Sequence, residues 1–474
     1  MNLPLLSPGM CIIVVVCLCM MVAVAATLYL TGHKFKTQKG GKRLTIFALS
    51  VFGLVVVYIL FYTIANFIGR AQVESRLAEM RTQGISLDKE AVLPGMPKPD
   101  SDNGVYSYKA AFQLMKGSAA CKTLLDMLQE QLTCNITQWP EQSRNTAGRL
   151  LKNQDIEQIL RLFHWGAEKP YAVCRRDFID STDSLSELRA LRELFRLISI
   201  KSSSDGLNGK PDTAYSFILD GFKAIKQFES EPFLISQLVN IACADINLDA
   251  MNALISCYGI SSRSAGQLLS ELDRIDFKKG LSNGMRGEII LSGEIIRKLM
   301  EEHWQKDTDT WKLIPGPKFL NMIWPFFYQD YANCLAQMNR IIDLNSKPYW
   351  AVQNNVKELE NDEKSFNYNF MTKNLTIGLV SARTKVARIE SEIDAAKLTL
   401  ALHIYKNQNG AFPDKLEQLA PGILKEIPVD PISGKPFEYQ KTEGKFTLSS
   451  VWLKEKAERF RQNAELHKRS KIGK

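Results

Sequence analysis

The sequence predicts a mainly α protein: two N-terminal transmembrane helices, a multi-helix, α-solenoid-like soluble body, and a long helix followed by a small β-hairpin near the C-terminus. Three observations carry this. Two stretches, Met10–Leu30 and Leu44–Ile68, contain no Asp, Glu, Lys or Arg. Apolar residues then recur at helical spacings of three and four over most of the chain as far as Asn407. Beyond it, a segment rich in Gly and Pro leads into two short alternating runs, Phe437 and Tyr439, then Phe446 and Leu448.

The first two elements are expected to form a membrane hairpin. Spanning the hydrocarbon layer takes about 20 apolar helical residues, and both stretches are long enough. In lipid every backbone N–H and C=O must be paired within the segment, which leaves the helix as the state of each. Between them, Gly32–Arg43 carries Lys34, Lys36, Lys39, Lys42 and Arg43, with His33 and no acidic residue. Short basic loops stay in the cytoplasm, so residues 70–474 are expected outside it, in the periplasm of a bacterium with an inner membrane. A cleaved signal peptide ending at Ala23-Val24-Ala25 is the competing reading. Met1–Gly9 has no positive charge to serve it, and cleavage would strand the basic loop outside. Both readings put the large domain outside. Cys11, Cys17 and Cys19 in the first span act as small apolar residues.

Charge placement bears on partners. The net charge is +9, from 60 basic and 51 acidic residues. The loop supplies five positive charges. The tail Val451–Lys474, with eight basic residues against Glu455, Glu458 and Glu465, supplies a net five more, which leaves the rest of the chain at −1. A nearly neutral body has no basic face to neutralise phosphates, so nucleic acid is not an expected partner. The lipid bilayer is one, and an envelope protein or cell-wall component is the other.

About 400 residues outside the membrane exceed one core, and two or three subdomains are expected. Residues 70–83 continue the second span as a polar helix, and Gly84–Gly104, with Pro94, Pro97 and Pro99, reads as a linker. Residues 105–303 form a helical domain. Ile156, Ile159, Leu160 and Phe163 make one apolar stripe. Ser184-Leu-Ser-Glu187 reads as a capping box, after which Leu188, Leu191, Phe195 and Ile198 share a face. Pro232 opens a helix that is apolar nearly all round to Leu254, through Leu234, Leu238, Ile241 and Ile246, as a central buried helix would be. No fixed repeat of 34 or 40 residues marks a regular array.

Residues 304–350 are aromatic, with Trp304, Trp311, Trp324 and Trp350 among Phe326, Phe327, Tyr328, Tyr331 and Tyr349, and Pro315, Pro317 and Pro325 interrupt them. A loop packed across the core is expected; an aromatic groove or membrane-facing patch is the alternative. In 351–450 the longest helix is expected from Thr376 to Asn407. Its narrow apolar seam is Ala382, Val386, Ile389, Ile393, Ala396 and Leu400, and Arg383, Lys385, Arg388, Glu390, Glu392 and Asp394 lie on the other faces. Residues 451–474 form a basic tail, read either as a solvated terminus or as a segment docking on anionic lipid or wall polymer.

After the long helix the chain reads Tyr405-Lys-Asn-Gln-Asn-Gly410-Ala-Phe-Pro413, then Ile427-Pro-Val-Asp-Pro431-Ile-Ser-Gly434-Lys-Pro436-Phe-Glu-Tyr439 and Phe446-Thr-Leu-Ser449. Some 75 residues here resemble the C-terminal half of the major pseudopilin of type II secretion. That resemblance implies a tight turn at Pro431–Gly434 and a small hairpin. It implies neither pilus assembly nor calcium, because the N-terminus lacks the prepilin motif and Ser-Val-Trp-Leu-Lys-Glu replaces the acidic loop after Ser449. The whole chain is also similar to poorly characterised membrane-anchored helical bacterial envelope proteins. The residues that carry this likeness are the turn at Gly84–Asp88, the Cys174-Arg175 and Leu188-Arg189 pairs, and the same C-terminal turn.

Chemistry is sparse. The only acidic–histidine cluster in the sequence is His303 with Glu301, Glu302, Asp307 and Asp309, and its spacing does not match a zinc helix. His403 continues the apolar seam and reads as a packed residue. Asp180 and Asp183, like Glu360, Asp362 and Glu363, are helix-end acids. No nucleophile elbow, phosphate loop or dinucleotide fingerprint occurs, so no catalytic, cofactor-binding or metal residue is assigned. Cys121, Cys134, Cys174, Cys243, Cys257 and Cys334 show no disulfide framework, and bridges and buried thiols both remain open. Asn135-Ile-Thr137 and Asn374-Leu-Thr376 match the glycosylation sequon without implying its use. The expected function is a non-catalytic, inner-membrane-anchored scaffold or binding protein. The alternatives are an enzyme on a wall or lipid substrate, with its site beside Glu301–Asp309, and an accessory subunit of a secretion-like system.

Overall fold

The computed structural model describes residues 39–85, 100–131, 135–173, 182–301, 327–365 and 370–459. In chain order its helices are α1 (Lys39–Thr82), α2 (Val105–Gly117), α3 (Ala119–Gln131), α4 (Glu141–Leu150), α5 (Gln154–Ala167), α6 (Thr182–Leu207) and α7 (Pro211–Phe228). They continue as α8 (Leu234–Tyr258), α9 (Ser262–Leu272), α10 (Phe277–Glu301), α11 (Phe327–Ser346), α12 (Tyr349–Ser365) and α13 (Phe370–Asn409). One antiparallel hairpin, β1 (Glu438–Thr442) and β2 (Lys445–Ser449), follows near the C-terminus. The first apolar stretch, most of the basic loop and linker, Cys134, Cys174, Arg175, Asp180 and the tail from residue 460 lie outside the described residues.

The chain divides into two compact units. One comprises Met1–Leu87, Ile289–Asn339 and Phe366–Thr376; the other comprises Asp88–Glu288, Arg340–Ser365 and Ile377–Lys474.

In the first unit α1 is continuous for 44 residues. It starts inside the basic loop, at Lys39, and runs through the second apolar stretch into the polar extension expected at 70–83. That makes it, and not the 40-residue α13, the longest helix among the described residues. Its apolar part faces outward, with Phe67 70% and Val57 63% exposed, so this surface meets no protein core. Its polar end packs instead: Val73 and Met80 are buried, and the Arg70 guanidinium lies 4.8 Å over the Tyr328 ring. Gly69 permits this approach, since a Cβ there would sit 2.7 Å from the Cβ of Tyr328.

Among the described residues two helices are long and apolar enough to cross a membrane, Val55–Thr82 within α1 and α8. Their surroundings differ. Most of α1's window is exposed, whereas more than half of α8's is buried within its own unit, as the reading of Pro232–Leu254 as a central helix expects.

The second unit is built on the predicted stripes. Ile156, Ile159, Leu160 and Phe163 of α5 are buried, as are Leu188, Leu191, Phe195 and Ile198 of α6, and the Phe163 and Phe195 rings meet edge-on at 5.9 Å. The Asn153 side chain starts α5 by accepting from the Asp155 N–H at 2.9 Å. α6 begins at Thr182, two residues before the expected cap at Ser184.

Buried amides join these helices. Gln227 of α7 donates to the carbonyls of Gly166 and Ala167 at the end of α5, at 3.1 and 3.3 Å, and accepts from the Tyr108 hydroxyl at 2.7 Å. Gln237 of α8 does the same for the end of α7, reaching the carbonyls of Phe228, Glu229 and Glu231. Carbonyls that a helix end leaves unpaired are thus satisfied inside the core by the next helix. Close crossing adds to this. A Cβ on Gly287 of α10 would fall 1.5 Å from the Pro232 carbonyl oxygen, while the adjacent Glu288 carboxylate accepts from the Leu234 N–H at 3.1 Å.

Two expectations need correction here. Residues 327–350 are not a loop: they form α11 and the start of α12, broken only at Lys347-Pro348, because Pro315, Pro317 and Pro325 all precede α11. Residues 304–326 lie outside the described residues. α13 is also not a helix with one narrow seam. The seam residues are buried as expected, but Arg383 is 0% and Glu392 7% exposed, because neighbours cover the polar faces too. Arg383 donates to the Lys347 carbonyl at 3.0 Å and lies over the Tyr349 ring.

The end of the chain folds around Asp430. Its carboxylate accepts from Ser391 Oγ of α13 at 2.6 Å and from Ser433 Oγ at 2.7 Å, and its carbonyl accepts from the Gly434 N–H at 2.8 Å. Gly434 has φ +68°, and a Cβ there would be 2.8 Å from the Trp350 ring. The hairpin follows, pairing Tyr439 with Leu448. Cys121, Cys243, Cys257 and Cys334 are thiols and not halves of a disulfide.

Candidate functional site

The second unit holds a cleft of about 830 Å³ between α8, α13 and the hairpin. Helical spacing explains its two walls. Asp249, Asn252 and Ser256 recur every three or four residues along α8, and Glu392, Ala396, Thr399, His403 and Lys406 do so along α13. Phe446 and Leu448 of β2 close one side. Residues 451–459, which continue as a helix after the hairpin, place Leu453, Lys456 and Ala457 on the other.

One end of the cleft is ionic. Lys456 Nζ donates to Asp245 Oδ1 at 2.6 Å, Asp249 Oδ1 at 2.9 Å and Glu392 Oε2 at 2.7 Å. Trp452 Nε1 donates to the other Glu392 oxygen at 2.6 Å, and the Arg388 guanidinium covers the Trp452 ring at 4.4 Å. Burial pushes Glu392 up to about 7 against the pull of Lys456 and Trp452, and burial also raises Asp249. For Lys456 burial works downward, but Asp249, Glu392 and Asp245 outweigh it and hold the ammonium above the ordinary lysine range. The start of the tail leaves Val451, Lys454, Glu455 and Ala457 exposed, but Trp452 is buried and Lys456 half-buried against the body. It is a strap bound to the body by one lysine and one tryptophan.

The other end is aromatic. His403 stands edge-on to Phe412 at 5.5 Å and to Phe446 at 6.0 Å, and Lys406 lies 4.7 Å over Phe412. Burial, then the Lys406 charge, lowers the His403 pKa, so its ring is neutral at pH 7. The hydroxyls of the cleft are not poised for attack. Thr399 Oγ1 donates to the Ala395 carbonyl and Ser256 Oγ to that of Asn252, each within its own helix. The arrangement presents charge, hydrogen-bonding groups and ring edges to an occupant without an activated nucleophile among the described lining residues.

A second ionic group joins α5 and α7. His164 Nδ1 lies 2.7 Å from Asp220 Oδ2, and Lys223 bonds Glu168 while standing 3.8 Å from Asp220. Burial raises Asp220 in spite of His164 and Lys223; the Lys223 hydrogen bond lowers Glu168. In both groups a lysine ammonium already stands among the carboxylates that spacing alone would allow to hold a cation.

Of the sequence candidates, Glu301 ends α10, and Glu302, His303, Asp307 and Asp309 lie outside the described residues. His403 is the packed helix residue expected, and it also lines the cleft. The reading of single motifs passed over Asp245/Asp249 and His164/Glu168. Each pair has the i, i+4 spacing that sets two side chains on one helix face, and that was the available signal. No family model matches this chain, and neither a curated protein nor a solved structure does.

Proposed function

We propose that the chain is a non-catalytic, membrane-anchored binding protein of the bacterial envelope. Its α-solenoid-like body stands outside the cytoplasm and receives an envelope protein or cell-wall component. The observation that carries this reading is the cleft. It is large, its chemistry is mixed, and its two hydroxyls and its imidazole are held as recognition groups. The exposed apolar length of α1 supports insertion in the inner membrane, with residues 32–43 on the cytoplasmic side. The near-neutral body supports the exclusion of nucleic acid.

The test joins topology to binding. A reporter enzyme that is active only outside the cytoplasm, fused after Lys474, is expected to be active; a cytoplasmic signal overturns the placement. Solubilised chain is then used to recover partners from envelope extract, alongside a Thr399→Trp variant that fills the cleft. A partner held by the first and lost by the second is expected, and recovery of nothing above control overturns the binding role.

The Asp430 turn and the β1–β2 hairpin favour a second reading, an accessory subunit of a secretion-like system, as the pseudopilin resemblance implies. Co-purification with pseudopilins tests it, and its absence under conditions where pseudopilins assemble removes it.

A further inference from the structure

We propose that the groove between Tyr106 and Trp165, at the junction of α2 and α5, is a saccharide-binding site for the glycan strand of the cell wall. Both rings are 52% exposed, whereas the neighbouring aromatics Tyr108 and Phe163 are 0% exposed. Two large rings left half in water on adjacent helices are not needed for this core.

The backbone builds the groove. Gly104 precedes α2 and Gly166 lies in the last turn of α5; a Cβ on Gly104 would sit 2.5 Å from the Gly166 carbonyl oxygen. That approach sets the first turn of α2 on the last turn of α5 and brings Tyr106 and Trp165 to the walls of one depression of about 510 Å³. Asn103 fixes it: its side chain donates to the Val173 carbonyl at 3.0 Å and accepts from the N–H groups of Val173 at 3.0 Å and Val105 at 3.2 Å. Sites held in place before binding lose less entropy on binding.

The chemistry selects a sugar. A pyranose offers an apolar C–H face to an aromatic ring and a rim of hydroxyls that donate and accept. Around the rings stand Ser101, Ser107, Glu168 and Lys169, which supply both kinds of partner. Glu168 is held ionised by its bond from Lys223, leaving carboxylate acceptor capacity toward the groove. A proline-rich peptide also docks on paired aromatics, but it presents carbonyls and few N–H donors, so it leaves a carboxylate unmatched. Counted with the Lys223 and Asp220 charges beside them, Glu168 and Lys169 make two negative and two positive charges, so the groove carries no excess positive charge for nucleotide phosphates or anionic lipid.

The inference deepens the proposed wall-binding role and rests on it only for access to the wall; binding itself is measurable on purified protein. Full-length chain in detergent is co-sedimented with purified peptidoglycan sacculi and titrated with chitohexaose. Wild type is expected to bind both. Trp165→Ala and Tyr106→Ala, each checked for unchanged circular dichroism and melting, are expected to weaken binding about tenfold or more, as truncation of a central aromatic anchor does. Absence of binding, or equal binding by the variants, overturns the site. So does a preference of the wild type, lost in the variants, for a proline-rich peptide or for phosphatidylglycerol vesicles. A chain that binds sacculi while its C-terminal reporter is cytoplasmic keeps this site and overturns the placement alone.

Discussion

Replacing Lys456 by Met removes the charge that holds the strap and leaves three carboxylates facing one another. The magnitude follows from their exposure. Glu392 is 7% exposed at its side chain, so its charged hydrogen bond is worth about 2 kcal/mol. Asp245 and Asp249 are 45% and 44% exposed, and solvent screening reduces each to about 0.5 kcal/mol. The strap should lose about 3 kcal/mol in all near pH 8.

The loss should also depend on pH. In the wild type Glu392 has its folded pKa raised from 4.5 to about 7, so the folded state keeps a proton that the unfolded chain releases. Stability from this group is full below the unfolded value and declines as pH rises to about 7. Without the ammonium the folded pKa rises further, and the decline continues above pH 7 at about 1.4 kcal/mol per unit. Below pH 7 both proteins hold the proton and the difference shrinks by that amount. Hydrogen exchange of the 451–459 amides, corrected for intrinsic rates at pH 6 and pH 8, reads the local opening free energy. Protection unchanged by Lys456→Met, or a deficit larger at pH 6 than at pH 8, would refute the strap.

Three further outcomes are expected. Gly287→Ala drives a methyl into the Pro232 carbonyl and should cost about 2–3 kcal/mol, read as a lowered melting temperature; an unchanged melt would mean that the helices do not cross as described. Gln227→Ala strands the Tyr108 hydroxyl and two carbonyls at the end of α5, a loss of about 2–3 kcal/mol in chemical denaturation, and a neutral result would show that water replaces the amide. Asp430→Ala breaks the bonds from Ser391 and Ser433 and should open the 427–449 region to limited proteolysis at least about tenfold faster, while equal cleavage rates would deny the turn its anchoring role.

The parts legible in the sequence are those whose cause is local. The apolar length of α1 follows from composition, and the stripes of α5 and α6 follow from spacing along one helix. The Pro431–Gly434 turn is specified within four residues, so its hairpin was readable as well. What escaped were partnerships between distant segments. Lys456 looked like one of eight tail charges, yet the acids it serves on α8 are 211 and 207 residues away. Gln227 and Gln237 carry no local signal of burial, and they are buried because helix ends elsewhere need donors.

Charge and hydropathy, which accumulate along a stretch of chain, determined the helical class, the apolar stretch of α1 and the neutral body. The tertiary structure alone decided whether an apolar helix lies exposed, as in α1, or in the core, as α8 does, because that depends on what packs against it. It also decided which charges are paired. A carboxylate's partner is set by distances in space of a few ångströms, and folding brings together residues that no local spacing relates.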